Sequence, residues 1–254
     1  MSGRLAVVGL GPGDARWLTA EAEAELACAQ ALYGYLHYLD RAPVRLGQTR
    51  HPSDNREEDA RAVAALRHAA QGAQVALVSG GDPGVFAMAA AVCAQIEAGP
   101  ALWRSIEVTI VPGVTAMLAV AARAGAPLGQ DFCALSLSDN LKPWQLIERR
   151  LDAAAGAGFA IALYNPVSRA RPWQLGAAFG RLRGQLPATT PVVFGRAVGR
   201  ADEDITITTL AEANAVTADM ATLVIVGSAQ TRVIPRPGRC ALIYTPRVAE
   251  TVRA

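Results

Sequence analysis

Lysine is almost missing from this chain. Among 24 basic residues Lys142 is the only lysine, and the rest are arginine. Any oxyanion partner is therefore met by planar, bidentate guanidinium forks rather than by point charges. The net charge is only +2, so no global field marks a nucleic-acid binder. Cysteine is sparse as well. Cys28, Cys93, Cys133 and Cys240 lie far apart with no CxxC pair, which leaves no zinc or iron–sulfur spacing. Scattered, buried thiols of a cytoplasmic protein are the expectation. His37, His51 and His68 form no ligand pattern, and no metal is expected. No apolar stretch approaches the ~20 residues that span a bilayer. Met1-Ser2-Gly3-Arg4 runs straight into a strand pattern, with no signal-peptide profile. The expected partners are thus neither membrane nor nucleic acid. Repeats and low-complexity segments are also absent.

What is present is a large apolar fraction, 52% of 254 residues, enough for one large domain or two small ones. Strand patterns at 5–8, 31–33, 74–78 and 106–111 alternate with helix patterns at 19–30, 56–71, 85–98 and 115–124. Thr19 is the expected N-cap of the first helix, and Gly72 the stop of the second. Such alternation implies parallel βαβ units. The glycine- and proline-bearing segment 125–129 reads as a boundary between domains 1–125 and 130–254. Beyond it, strands at 132–137 and 159–164 flank a helix at 143–155, and a helix at 172–186 follows. Strands are then expected at 191–194, 204–208, 222–226 and 240–244. Ile205-Thr206-Ile207-Thr208 alternates and is β-branched, as an antiparallel strand with one wet face would be. The fold class is α/β, with a mostly parallel sheet first and a mixed sheet second.

Three strand ends carry the same punctuation: Val8-Gly9-Leu10-Gly11-Pro12-Gly13-Asp14, Val78-Ser79-Gly80-Gly81-Asp82-Pro83-Gly84 and Val111-Pro112-Gly113-Val114-Thr115-Ala116. Ligands of open α/β sheets lie at the carboxyl ends of strands. Ends stripped of side chains suit a flat, polar small molecule lying against backbone. A nicotinamide dinucleotide is the obvious rival, but its GxGxxG fingerprint fails here. The third glycine position counted from Gly9 is Asp14, Pro12 removes a donor, and Tyr33-Gly34-Tyr35 stands where the ribose-binding acid belongs.

Taken with Thr222-Leu223-Val224-Ile225-Val226-Gly227-Ser228, these blocks resemble the tetrapyrrole methylase family in order and spacing over nearly the whole chain. The resemblance implies two α/β domains with the cofactor in the cleft between them, a homodimer, S-adenosylmethionine as methyl donor and S-adenosylhomocysteine as product. Leu163-Tyr164-Asn165-Pro166-Val167-Ser168-Arg169, Arg171-Pro172-Trp173-Gln174-Leu175 and Gly195-Arg196-Ala197-Val198-Gly199-Arg200 resemble those members that methylate C-17 of the macrocycle in cobalamin biosynthesis and contract the ring. Carried over by motif position, the implied cofactor contacts are Pro12, Gly80, Gly81, Asp82, Val85, Thr115, Ala116, Asn165 and Gly195. Alternatives are a sibling methylase acting on another ring carbon, or a non-catalytic adenosyl-ligand binder on the same scaffold.

Methyl transfer from a sulfonium asks mainly for near-attack positioning, which is worth ~7–11 kcal/mol. Asp82 is expected to bond a polar cofactor group or brace the loop, or else to cap the following helix. Ring contraction asks for a base and a proton source. His37, Tyr35, Tyr38, Asp139 and Glu203 are candidates near strand ends. The carboxylates of a tetrapyrrole call for arginine forks. Arg50, Arg123, Arg169, Arg171, Arg196, Arg200 and Arg232 lie in loops or at element ends, with Arg169 and Arg171 favoured. Trp173 beside them reads either as a ring to stack on the macrocycle or, the favoured reading, as a buried helix anchor.

Overall fold

The computed structural model describes residues 3–248 and divides into two compact units, one ending at Thr115 and the other beginning at Ala116. The first runs β1 (Arg4–Gly9), α1 (Ala20–Cys28), β2 (Ala31–Tyr35), α2 (Leu36–Leu39), β3 (Thr49–Ser53), α3 (Glu58–Ala70), β4 (Gln74–Ser79), α4 (Met88–Ala98) and β5 (Glu107–Val111). Its sheet has the order β3-β2-β4-β1-β5, and every pair is parallel. Parallel strands are covered on both faces, so both sets of alternating side chains must be apolar. Leu5, Val7, Val75 and Leu77 pack against Ala62 and Leu66 of α3 and Met88 and Val92 of α4. Ala6, Val8, Ala76 and Val78 pack on the opposite face with Ala22 and Leu26 of α1 and Leu39 of α2. Truncating a side chain such as fully buried Leu77 to alanine costs ~2–5 kcal/mol.

Local chemistry sets the helix starts. Thr19 caps α1 as expected, its Oγ1 accepting from the Ala22 N–H at 3.0 Å. The next two helices begin later than their sequence patterns suggest. Arg56 sits at φ +68°, outside helical space, so α3 starts at Glu58. Phe86 sits at φ +52°, so α4 starts at Met88 and Val85 stays in the loop. Strand β3, Thr-Arg-His-Pro-Ser, lacks apolar alternation and contains a proline. It forms as an edge strand, where proline is tolerated.

The second unit runs α5 (Ala116–Ala124), β6 (Gly125–Ala126), β7 (Phe132–Ser136), α6 (Trp144–Gly156), β8 (Ala160–Tyr164), α7 (Gln174–Arg183), β9 (Pro191–Arg196), β10 (Asp204–Thr209), β11 (Thr222–Val226), β12 (Arg232–Arg236) and β13 (Arg239–Tyr244). The main sheet, β10-β9-β11-β8-β7, is mixed. Strands β7 and β8 are parallel; the β8–β11, β11–β9 and β9–β10 pairs are antiparallel. One face is filled by Ile147 and Leu151 of α6 and by Leu175, Phe179 and Leu182 of α7. Helix α5 packs with β9 and β11. It therefore groups with the second unit, although the sequence placed it before a boundary at 125–129. A smaller sheet, β12-β13-β6, completes the unit. Thr245 Oγ1 donates to the Pro127 carbonyl at 2.6 Å, which ties β13 to the segment after β6.

The thiols do not behave as the sequence suggests. Cys28, Cys93 and Cys240 are exposed and only Cys133 is partly buried. Cys28 ends α1, Cys93 lies on an outward position of α4, and Cys240 sits in the β12–β13 hairpin. Among the described residues, no helix is long and apolar enough to cross a membrane.

Candidate active site

In the first unit β4, β1 and β5 are neighbours running the same way, so their carboxyl ends and the three glycine turns lie side by side. The turns are in main-chain contact. Gly11 N–H donates to the Gly81 carbonyl at 3.1 Å, and Gly81 N–H returns a bond to the Gly11 carbonyl at 2.9 Å. A Cβ on Gly9 would stand 2.7 Å from Gly113 N and 2.8 Å from Gly81 O. A Cβ on Gly113 would strike the same Gly81 oxygen. No side chain fits at either position. Gly81 has φ +66°, which favours glycine for conformational reasons as well.

Asp82 is the brace of this edge. Its Oδ1 accepts from Gly84 N–H at 2.8 Å and its Oδ2 from Gly113 N–H at 3.1 Å. It does not cap a helix: the N-cap position of α4 is Ala87. Arg41 holds the Pro12 turn through its carbonyls, donating to Gly13 O at 2.7 Å and Gly11 O at 2.7 Å. The Tyr38 ring covers Gly80, where a Cβ would lie 2.7 Å from Cε1. Gly80, Gly81, Asp82 and Val85 are half-buried, and Thr115 is buried.

In the second unit, Val224 of β11 pairs with both Leu163 of β8 and Phe194 of β9 in antiparallel register. The carboxyl ends of β7, β8 and β9 therefore share one edge. Asn165 follows β8 at φ +51°, and Ala197 follows β9 at φ +48°. Among the described residues, Asn165 and Ala197 are two of the four non-glycine residues at positive φ, and each directly follows a strand end. Such backbone strain concentrates at functional sites. Asn165 Nδ2 donates to Ser136 Oγ at 3.0 Å, which links the ends of β8 and β7. Tyr164 Oη accepts from the Met117 N–H at 3.2 Å and so satisfies an orphan donor in the first turn of α5. Gly195 is bare for a packing reason: a Cβ there would meet Val120 of α5, with Cγ1 at 2.7 Å. Ala116, at the start of α5, is half-buried.

The arginine candidates separate by what they already hold. Arg50 donates to the carbonyls of Leu39, Ala42 and Pro43. Arg123 is paired with Glu203 at 2.6 Å. Arg196 grips Asp219 at 2.7 Å and Asp202 at 2.9 Å. That grip holds the Asp202 carboxyl below its ordinary range, and hydrogen bonds from Thr222 and Arg196 do the same for Asp219 against the opposing effect of burial. Arg171 donates to the Asn165 carbonyl at 3.2 Å, while Arg169 is exposed on the same loop. Trp173 is half-exposed, 49%, and meets Trp144 edge-on at 4.8 Å instead of anchoring a core. Helix α7 starts after it, at Gln174.

The acid–base candidates separate in the same way. His37 is exposed, with its ring edge-on to Tyr35 at 5.0 Å. Tyr38 is the cover of Gly80. Glu203 accepts from Gly199 N–H at 2.7 Å besides its pairing with Arg123. Asp139 accepts from Gln174 alone, at 3.2 Å to each oxygen. Arg41 was not legible as a site residue. It follows α2 in the run Asp40-Arg41-Ala42-Pro43, which carries no motif, and only the folded turn shows which carbonyls it binds. Among the described residues no group of three or more His, Cys, Asp or Glu side chains could hold a metal ion.

The fold is of a two-unit α/β class, one unit with an all-parallel sheet edged by glycine turns and one with a mixed sheet. A profile of the Tetrapyrrole (Corrin/Porphyrin) Methylases matches residues 4–214. A precorrin-3B C(17)-methyltransferase of Sinorhizobium sp is 63% identical over 247 residues, covering 97% of each chain. The crystal structure of the methyltransferase CobJ superposes with a TM-score of 0.91 at 48% identity, covering 96% of this chain and 100% of that one. At the level of fold, a uroporphyrin-III C-methyl transferase from Thermus thermophilus, crystallised with S-adenyl homocysteine, gives a TM-score of 0.65 at 22% identity, over 89% of this chain and 98% of that one. The chain belongs to the tetrapyrrole methylase family and is a methyltransferase of it.

Proposed function

We propose that the chain transfers the methyl group of S-adenosylmethionine to C-17 of precorrin-3B in cobalamin biosynthesis, with contraction of the macrocycle to precorrin-4. The observation that carries this reading is the 63% identity to a precorrin-3B C(17)-methyltransferase over 97% of both chains. The geometry supports it through three glycine turns at neighbouring strand ends, packed so closely that a Cβ at Gly9 or Gly113 would strike the backbone of the next turn. When bound, the sulfonium donor supplies an electrophilic methyl group and a good leaving group. The residues of this chain have to hold donor and acceptor in contact and exclude other geometries.

Pro12, Gly80, Gly81, Asp82, Val85 and Thr115 of the first unit, and Ala116, Asn165 and Gly195 of the second, are the proposed cofactor contacts. Asp82 keeps the second and third turns in register by spending both oxygens on Gly84 and Gly113. Main chain so fixed binds a ligand without losing side-chain entropy. Arg169 and Arg171 are proposed to meet substrate carboxylates, with Arg171 also fixing the Asn165 loop. The exposed, unpaired thiols fit a reducing, cytoplasmic compartment. Likeness to the family supports a homodimer that works without a metal.

The test is direct. The purified chain is analysed for co-purified S-adenosylhomocysteine and then given labelled methyl donor with precorrin-3B. Label in a ring-contracted product supports the reading. Bound nicotinamide, label at another ring carbon, or a methylated product without contraction would reject it.

A further inference from the structure

One half-buried acid at the edge of the second unit is held by a neutral amide and not by a cation. Asp139, half-buried in the loop after β7, receives both of its hydrogen bonds from one neutral donor, Gln174 Nε2. Among the described residues no cation pairs with it. Five other acids at the turns and strand ends are committed. Asp14 is tied by Arg16, Asp202 and Asp219 by Arg196, Glu203 by Arg123, and Asp82 by two backbone N–H groups. A carboxylate paired with a guanidinium is already spent on that cation; Asp139 is held by a neutral amide instead.

A second observation points to a ligand. Gln174 is 1% exposed, and its Oε1 is buried with no partner. Turning the amide over would face oxygen to carboxylate, so the assignment of Nε2 toward Asp139 stands on the network itself. An unmatched acceptor at that depth is costly unless a donor arrives. A tetrapyrrole carries pyrrolic N–H groups. Asp139 and Gln174 stand on the edge that also carries Asn165, whose Nδ2 bonds Ser136 at the end of β7.

Methyl transfer from a sulfonium to carbon breaks a C–S bond, and its electron pair stays on sulfur. The new C–C bond draws its pair from the substrate. The sulfonium charge passes to the methylated macrocycle, which regains neutrality by releasing one proton. Resting on the methyl transfer proposed above, we propose that the Asp139 carboxylate accepts this proton, becoming a carboxylic acid that returns it to solvent. Gln174 is the positioning residue that orients both carboxylate oxygens.

The experiment uses the full chain with S-adenosylmethionine and precorrin-3B, measuring the affinity for each by titration and kcat and KM separately. D139N is expected to keep both affinities within about threefold of the parent and to lower kcat by ~10²–10⁴-fold. D139E restores part of the rate, and formate restores turnover to D139A. Q174A lowers kcat less than D139N does, and adds nothing to it in the double variant, because it acts through the same group. Should the buried Gln174 variant fail to fold, D139N and formate rescue decide alone. Turnover of D139N within threefold of the parent, a rise in KM with kcat intact, or D139A without formate rescue would overturn the assignment. A parent that binds the donor but leaves precorrin-3B unmethylated would overturn the functional reading beneath it, and is seen before any variant is made.

Discussion

Replacing Asp82 by alanine removes the side chain that joins two turns of the first unit. Its two hydrogen bonds, 2.8 Å to Gly84 N–H and 3.1 Å to Gly113 N–H, are made by a half-buried carboxylate. Bonds to charged groups contribute ~1.5–3 kcal/mol each, and partial solvent access argues for the lower end. The variant should therefore lose ~3 kcal/mol. At ~2–4 °C per kcal/mol for a chain of this size, its melting temperature should fall by ~6–12 °C. D82N keeps one acceptor and loses the charge, so it should fall about half as far. Thermal unfolding by circular dichroism gives the first number. Hydrogen exchange gives the location, since the Gly113 amide loses its acceptor and should exchange faster. Affinity for S-adenosylhomocysteine should drop at least ~10-fold, because the turns that Asp82 registers are the proposed cradle. If D82A melts within about 2 °C of the parent with Gly113 still protected, the brace is not a brace and the reasoning fails.

Other consequences are equally open to measurement. Gly195→Ala drives a methyl group into Val120 and should cost ~1–3 kcal/mol, with V120A relieving part of it; an unchanged urea midpoint would contradict the close packing of α5 on β9. Arg4 spans β1 and α1 through a bidentate pair with Glu25 at 2.6 and 2.7 Å, so E25A should cost ~1–2 kcal/mol, an effect that salt only partly masks. His51 stacks on Tyr33 at 4.4 Å, and burial, together with the nearby charge of His68, pushes its pKa below the usual 6.5. The unfolded chain then binds the proton more readily. The stability contribution is complete above ~6.5 and is lost as pH falls below it. H51N should flatten the pH dependence of the melting temperature in that window, and an unchanged profile would refute the linkage.

Much of the fold was written in periodicity. The buried parallel strands β1 and β4 are continuous apolar runs, and α1 announces itself with Thr19 and an Ala/Glu-rich stretch. Strand β3 was not legible, because an edge strand of Thr-Arg-His-Pro-Ser owes its existence to pairing with β2 and not to its own pattern. The starts of α3 and α4 were hidden by positive φ at Arg56 and Phe86, residue types that give no warning of it. The glycine turns were legible as places needing bare backbone, but the reason differs by position. Gly9 and Gly113 are bare because strands crowd there; Gly81 also for its φ; Gly195 because a helix leans on it. Partnership is what sequence hides most. Nothing in the letters distinguishes Arg196, spent on two aspartates, from Arg169, or Asp139 from Glu203.

The most direct test of the central claim is hydrogen–deuterium exchange of the chain with and without S-adenosylhomocysteine. If bare main chain at the ends of β1, β4 and β5 receives the nucleoside, the amides of Gly11, Gly13 and Asp14, of 80–82 and 84–85, and of 113–116 should slow together by at least ~10-fold while the β12–β13 hairpin stays unchanged. Binding that leaves those three turns exchanging at their free rates would contradict the account.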